Sequence, residues 1–274
     1  MPARFAGLIP YQGYEDMLVE KNADGVVVAT LNAPQKLNAL TPGIRMGLKR
    51  ILEEVNDDDE AKVLVLTGMG RGFSSGADMG GGEAAGGGHE PSRQELEEPR
   101  FEWIGRFRTM NKPVIAAVNG VAAGGGMSLA MAADVRVASD QARFVTVFLR
   151  RAILPDQCAT WFLPRLVGPS RALLMLWLSD DVSAEEALRY GLVDMVVPHD
   201  QLMAKTMELA TRLAKGPSVT LELTKKAVYH GLTVDLATQA NYEQNLLGMA
   251  DRTHDVEEGR LAFRERRQPN FKGR

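Results

Sequence analysis

Two glycine-containing stretches decide the fold: GFSSGAD at residues 72–78 and NGVAAGGGM at residues 119–127. Each follows a short apolar run, KVLVLT at 62–67 and PVIAAV at 113–118, of the kind that forms a strand buried on both faces. Glycine adopts backbone angles that other residues avoid, so both stretches are predicted to be tight turns after buried strands. The second stretch also opens a helix at Gly125.

Neither stretch is a nucleotide-binding loop. A phosphate-binding loop needs Lys followed by Ser or Thr after its glycines, and none follows Gly72. The dinucleotide fingerprint G-x-G-x-x-G needs its second glycine at Ala122 if it starts at Gly120, and its third at Leu129 if it starts at Gly124. Taken together, the two turns can supply backbone amides to a ligand. A helix that begins at Gly125 has unpaired amide N–H groups in its first turn, and Ala77 offers one more amide. Two such donors form an oxyanion hole, which stabilises a carbonyl oxygen that gains negative charge.

The order of the other elements predicts an α/β core and a helical C-terminal region. Strands and helices alternate up to about residue 198, and only helical patterns follow. We therefore divide the chain into a core with the substrate site, residues 1–198, and a helical region, residues 199–274. The other predicted strands are residues 17–21, 26–31, 134–138 and 192–197.

The composition excludes several classes of function. Net charge is −3 with both signs interspersed, so no nucleic-acid partner is expected. The single cysteine, Cys158, excludes an internal disulfide, and residues 1–20 do not resemble a signal peptide, which favours the cytoplasm. Residues 114–133 carry no charge but are rich in Ala and Gly, so no membrane span is expected. No residue cluster has metal-ligand spacing, so no metal is expected.

These motifs resemble those of the crotonase (enoyl-CoA hydratase/isomerase) superfamily, and the resemblance covers nearly the whole chain. It implies a spiral of ββα units, a C-terminal helical region that supports a homotrimer or a hexamer of two trimers, and an acyl-CoA thioester substrate with no separate cofactor. Further motifs that carry the resemblance are NAPQKLNAL (32–40), LPDQCATWFLPRLVG (154–168), SAEEALRYGLVDMVVP (183–198) and HDVEEGRLAFRERRQPNFKG (254–273).

The resemblance also implies roles for individual residues. The amides of Ala77 and Gly125 polarise the thioester carbonyl and stabilise an enolate. Phe263 and Lys272 correspond to positions near the adenine of CoA, although packing or solvation is the simpler explanation for both. Asp78 is also a candidate helix N-cap. The residues expected to contact the substrate are Lys36, Leu37, Ser75, Asp78, Met79, Gly124, Ser128, Phe148, Phe263 and Lys272.

The chain departs from the hydratases of this family at two positions. Hydratases hold a water molecule with two glutamates, and the corresponding residues here are Ser128 and Phe148. Neither is a general base at neutral pH. Asp156 corresponds to the acting carboxylate of the dienoyl-CoA isomerases and of the ring-epoxyphenylacetyl-CoA (oxepin-forming) isomerases. The sequence motif LPDxxxTWxLPRLVG resembles that of the second group.

Apolar neighbours in the sequence predict a raised pKa for Asp156, which suits a proton carrier. These neighbours are Ile153, Leu154, Trp161 and Phe162. The alternative interpretation is that Asp156 caps the following helix.

Three functional hypotheses follow. The first is an acyl-CoA isomerase in which Asp156 moves a proton between two carbons of an enolate. The second is a hydratase, hydrolase or lyase that uses an acid of the glycine-rich segment, such as Glu83; His89 lies in the same segment. The third is a non-catalytic acyl-CoA-binding protein.

Overall fold

The computed structural model describes residues 11–78 and 102–274, which form two sheets and the helices around them. The strands are β1 (Met17–Lys21), β2 (Val26–Leu31), β3 (Val63–Gly68), β4 (Gly72–Ser74), β5 (Val114–Val118), β6 (Val121–Ala123), β7 (Val135–Ser139), β8 (Arg143–Val145), β9 (Val182–Ser183) and β10 (Met195–Val197).

The helices in the described ranges are α1 (Pro42–Asp57), α2 (Glu102–Thr109), α3 (Gly125–Ala132), α4 (Ala159–Val167), α5 (Pro169–Leu178), α6 (Ala184–Tyr190), α7 (Leu202–Ala214), α8 (Ser218–Gly231), α9 (Leu236–Ala250) and α10 (His254–Glu265). Several begin at the predicted caps. Thr41 Oγ1 accepts a 3.1 Å hydrogen bond from the amide of Ile44 at the start of α1. Ser183 and Glu186 form the predicted capping box of α6.

The large sheet has six strands in the order β1-β2-β3-β5-β7-β10, all parallel except for the antiparallel pair β1 and β2. Successive side chains of a strand point to opposite faces, and both faces of β3 are covered. Leu64 and Leu66 pack into the main core, whereas Val63 and Val65 pack into a second core with Leu202 of α7. The continuous apolar run predicted as a doubly buried strand is therefore confirmed.

A smaller sheet has four strands in the order β4-β6-β8-β9. Each of β3, β5 and β7 leads through a short connection into a strand of this sheet, and β5–β6–α3 forms one complete ββα unit. The predicted α/β spiral is confirmed. The prediction that residues 72–74 and 121–123 belong to turns is wrong, because they are strands of the small sheet. Three-residue strands are too short to show an alternating pattern.

The C-terminal region is helical, as predicted, and contains no strand from residue 200 onward. Helix α7 packs against the outer face of the large sheet. Helices α8 and α9 share a separate small core of Leu223, Leu246 and Ala250. The strand predicted over residues 192–197 is shorter and begins at Met195, because the amides of Leu192 and Val193 donate hydrogen bonds to the Ala187 carbonyl of α6 and not to a neighbouring strand.

Candidate active site

The loop after β4 and the first turn of α3 lie directly against each other. Gly76 has a φ of +87°, and a β-carbon on it would lie 2.6 Å from the Ala123 carbonyl oxygen and 3.0 Å from the Gly125 nitrogen. Only glycine fits this close approach. The Gly76 carbonyl accepts a 2.7 Å hydrogen bond from Leu40, and Ala77 pairs with Leu40 in an isolated parallel bridge. The first loop of the chain therefore holds Ala77 beside the start of α3.

The two amides predicted to form the oxyanion hole are available to a ligand. Gly124 precedes α3 as its N-cap and gives no side-chain cap, and its own amide donates a 2.9 Å hydrogen bond to the Val145 carbonyl. Among the described residues, the amides of Ala77 and Gly125 donate no hydrogen bond. Unpaired amides at a helix N-terminus attract an oxygen with partial negative charge. The backbone thus offers two neighbouring donors.

Four of the residues predicted to contact the substrate form one cluster beside Ala77. The Lys36 ammonium lies 2.8 Å from the Asp78 carboxylate, which is buried. Ser75 donates from its hydroxyl to the Lys36 carbonyl at 2.9 Å and from its amide to the Leu37 carbonyl at 2.9 Å. The helix that Asp78 would cap, and Met79, lie outside the described residues. The cluster brings one cation close to Ala77.

Asp156 lies in the connection between β8 and α4 and is half-buried. Burial raises the pKa of its carboxyl, as predicted, while its own backbone amide and the charge of Arg45 act in the opposite direction. Of the four predicted apolar neighbours only Phe162 is fully buried, and Leu154 is largely exposed.

The interpretation of Asp156 as a helix cap is wrong. Helix α4 begins at Ala159, its N-cap residue is Cys158, and no side chain caps it. Only the backbone carbonyl of Asp156 takes part, accepting a 3.0 Å hydrogen bond from the Ala159 amide. The carboxylate is therefore not engaged in capping the helix.

Gln157 is a residue of this site that sequence reasoning missed. A β-carbon on Gly125 would overlap its side-chain amide, whose Nε2 would lie 2.5 Å from that position. Gln157 and Cys158 both adopt left-handed backbone angles, with φ of 51° and 61°. Such angles cost on the order of 1–2 kcal/mol for residues with a β-carbon. No sequence signal marks Gln157, because its contact with Gly125 arises from the packing of α4 against α3.

Ser128 and Phe148 are both buried. The Ser128 hydroxyl has no hydrogen-bond partner in the described part of the chain. Phe148 precedes a short 3-10 helix, Leu149–Arg151, and packs into the main core. Neither residue brings a carboxylate to the site.

Phe263 and Lys272 are not packed into the site of their own chain. Phe263 projects from α10 with 86% of its surface exposed. Lys272 is exposed, and its amide donates a 2.7 Å hydrogen bond to the Asp255 carboxylate, which fixes the C-terminal segment to α10. No helix in residues 11–78 or 102–274 is long and apolar enough to cross a membrane.

Comparison with known proteins identifies the family. Residues 21–274 match the family of enoyl-CoA hydratases/isomerases. The chain belongs to the enoyl-CoA hydratase/isomerase family. The 1,2-epoxyphenylacetyl-CoA isomerase of Escherichia coli is 37% identical over 251 residues, which cover 91% of this chain and 96% of that protein. The crotonyl-CoA hydratase of Syntrophomonas wolfei is 35% identical over 264 residues, covering 94% of this chain and 98% of that protein.

Solved structures of this family share the fold. The enoyl-CoA hydratase of Bacillus anthracis superimposes with a TM-score of 0.84 at 32% identity, covering 95% of this chain and 100% of that one. The predicted crotonase fold is thus confirmed, and the chain is an acyl-CoA enzyme of the crotonase superfamily. The relatives' names are mostly those of hydratases, with one isomerase, so family membership leaves the choice between the two reactions open.

Proposed function

We propose that this enoyl-CoA hydratase/isomerase family member is a cofactor-independent acyl-CoA isomerase. The thioester carbonyl oxygen accepts hydrogen bonds from the amides of Ala77 and Gly125. Asp156 removes a proton from one carbon of the acyl chain, and the electron pair moves onto the carbonyl oxygen to give an enolate. Asp156 then returns the proton to another carbon. The double bond moves, and no water is consumed.

Two indirect contacts, one toward each donor, carry the proposal for Asp156. On one side, Arg45 interacts electrostatically with Asp156, and its Nε donates a 2.8 Å hydrogen bond to the carbonyl of Leu40, the partner of Ala77. On the other side, the next residue, Gln157, contacts Gly125. These two contacts support a carboxylate close to both amides. A general base must lie within hydrogen-bond reach of the proton that it abstracts.

The protonation state of Asp156 also supports the proposal. A raised pKa brings the carboxyl closer to the working pH, where it both accepts and releases a proton efficiently. Hydration would need a positioned water molecule and a group to activate it. The two positions that correspond to hydratase glutamates hold Ser128 and Phe148 instead. An isomerisation that uses one base fits these side chains better.

The decisive experiment follows solvent isotopes during turnover of a panel of enoyl-, dienoyl- and aryl-CoA thioesters. An isomerase incorporates deuterium from deuterium oxide at the acyl α- or γ-carbon and takes up no labelled oxygen from water. Uptake of labelled oxygen would instead identify the hydratase, hydrolase or lyase, with Glu83 as the first acid to examine. Binding without any exchange would identify a non-catalytic member.

We further propose that the enzyme is a cytoplasmic homotrimer or a hexamer of two trimers. Large apolar side chains are exposed along the C-terminal helices and their connections, and a monomer would leave this surface in water. They include Val228, Leu232, Leu236, Leu247, Met249 and Phe263. In such an assembly the exposed Phe263 would reach a neighbouring subunit, where a role near the adenine of CoA remains consistent with its exposure.

A further inference from the structure

The side chain of Gln157 is buried without a hydrogen bond for its oxygen. Gln157 is only 8% exposed, and its Oε1 has no partner in the described part of the chain. A buried polar group without a partner costs free energy, and such groups are rare in native proteins. This side chain could have been apolar without losing any hydrogen bond that the structure contains. The Oε1 atom of Gln157 is therefore suited to a hydrogen bond from a bound ligand.

The side-chain amide of Gln157 lies against Gly125, the first residue of α3. It fills the volume into which a side chain at Gly125 would project, so it lies on that face of the helix. The Gly125 nitrogen, which carries one of the two donors of the oxyanion hole, belongs to the same residue. A ligand held by the Gly125 amide is therefore within reach of the Gln157 side chain after rotation about its side-chain bonds.

Ser128 adds a second unpaired group on the same face. Residues three apart on a helix are neighbours, so Ser128 lies one turn beyond Gly125 on the side that Gln157 covers. Ser128 is completely buried, and its Oγ has no partner among the described residues. Two buried oxygens, one of an amide and one of a hydroxyl, thus lie beside Gly125 without a hydrogen-bond partner among residues 11–78 and 102–274. Their chemistry matches a substituent that both donates and accepts hydrogen bonds.

We infer that Gln157 and Ser128 form a polar subsite for an oxygen substituent on the acyl chain, such as a hydroxyl, close to the thioester carbonyl. The inference rests on the proposed acyl-CoA function and narrows its substrate class. A site built to hydrogen-bond a hydroxyl discriminates strongly against the analogue that lacks it, because the buried polar groups then remain unpaired. The enzyme would accordingly prefer an oxygenated acyl chain over a plain hydrocarbon chain.

The test is calorimetric binding of butanoyl-CoA, 2-hydroxybutanoyl-CoA and 3-hydroxybutanoyl-CoA to the full-length protein. We expect one hydroxylated thioester to bind at least about 10-fold more tightly than butanoyl-CoA. In Gln157→Leu the preference should fall to within about 2-fold, because the affinity for the hydroxylated ligand drops and that for butanoyl-CoA does not. Ser128→Ala should reduce the preference in part.

Two further variants keep the result interpretable. Gln157→Gly removes the amide and also relieves the left-handed backbone, so it should lose the preference in a stably folded protein. Gln141→Leu makes the same chemical change at an exposed glutamine and should leave the preference intact. Equal binding of all three thioesters by the wild type, or a preference that survives in Gln157→Leu and Gln157→Gly, would overturn the inference.

The outcome is separable from that of the proposed isomerase. Solvent deuterium exchange reports on Asp156, and the ratio of affinities reports on Gln157. Exchange with equal affinities would refute the subsite alone, and a Gln157-dependent preference without exchange would refute the isomerase alone. Failure of all three thioesters to bind would refute the subsite, and the exchange experiment would still decide the isomerase by itself.

Discussion

Arg45 opposes the effect of burial on Asp156. Burial raises the pKa of the Asp156 carboxyl and is the largest influence, whereas the positive charge of Arg45 lowers it. Arg45 is fixed in place because its Nε donates a 2.8 Å hydrogen bond to the Leu40 carbonyl. The loop that holds Ala77 thus also positions, through Leu40, the charge on α1 that lowers the pKa of the proposed base.

This relationship predicts the pH dependence of the reaction. A general base works as the carboxylate, so kcat/KM should fall as the pH drops through the pKa of Asp156 in the free enzyme. Because burial raises that pKa, the acidic limb should lie above the range of an ordinary aspartate. Arg45→Gln removes a charge that favours the carboxylate, so the limb should move to higher pH. The pH profile of kcat/KM measures both effects.

Arg45→Lys is the matched control, because it keeps the charge and should leave the acidic limb close to that of the wild type. If Arg45→Gln leaves the limb unmoved, or moves it to lower pH, then Asp156 is not the group that titrates in the reaction.

The second prediction concerns the donor at Gly125. Gly125→Pro deletes the amide N–H, and proline is well tolerated at the first position of a helix. Removing one oxyanion donor typically lowers the rate by about 100- to 1000-fold, and we expect kcat to fall by at least about 100-fold.

Gly125→Ala separates the lost donor from crowding, because it keeps the N–H and also displaces the Gln157 amide. Its kcat should stay well above that of Gly125→Pro. Similar losses in the two variants, with both folded by circular dichroism, would argue against a donor role for Gly125.

The third prediction concerns the cation of the Lys36–Asp78 pair. A lysine at the edge of the site is suited to a phosphate of CoA, and hydrogen bonds to charged groups are among the stronger ones. Lys36→Met should raise KM by about 10-fold with little change in kcat, and Lys36→Arg should retain most of the affinity. A thioester of N-acetylcysteamine lacks these phosphates, so its KM should be equal in the wild type and Lys36→Met. A change in its KM would indicate damage to the loop instead.

The positions of the strands of the large sheet along the chain were largely predictable from the sequence, because they depend on local patterns. The apolar run at residues 62–67 and the cap at Thr41 signal their elements by composition and spacing alone, and both predictions hold. The strands β4, β6, β8 and β9 were missed. Each contains at most three residues and is defined by its neighbours in the small sheet, which a local pattern cannot reveal.

The site was predictable where backbone geometry creates it and not where packing does. Gly76 indicates a turn and Gly125 indicates the start of a helix, and the structure places this turn against the start of this helix. Gln157 carries no comparable signal, since its role depends on two left-handed residues and on the contact between α4 and α3. The capping interpretation of Asp156 failed for the same reason, because the left-handed Cys158 shifts the start of the helix.

The fourth prediction concerns assembly. Light scattering at micromolar concentration should give a mass three or six times that of one chain. Leu236 lies almost fully exposed at the start of α9, and Leu236→Asp should weaken a contact made by the C-terminal helices. Leu18→Asp changes an exposed leucine on β1 and should leave the mass unchanged. A wild-type monomer would contradict the proposed trimer.

The last prediction separates the isomerase from its rivals. Asp156→Asn keeps the shape of the side chain and leaves the amides of Ala77 and Gly125 intact, but asparagine cannot accept and return a proton. General base catalysis typically contributes about 100- to 10,000-fold, so turnover should fall by at least about 100-fold while substrate binding persists. Exchange of deuterium at the acyl α- or γ-carbon should disappear in parallel. If the Asn variant exchanges protons at the wild-type rate, Asp156 is not the base, and Glu83 and His89 become the next residues to substitute.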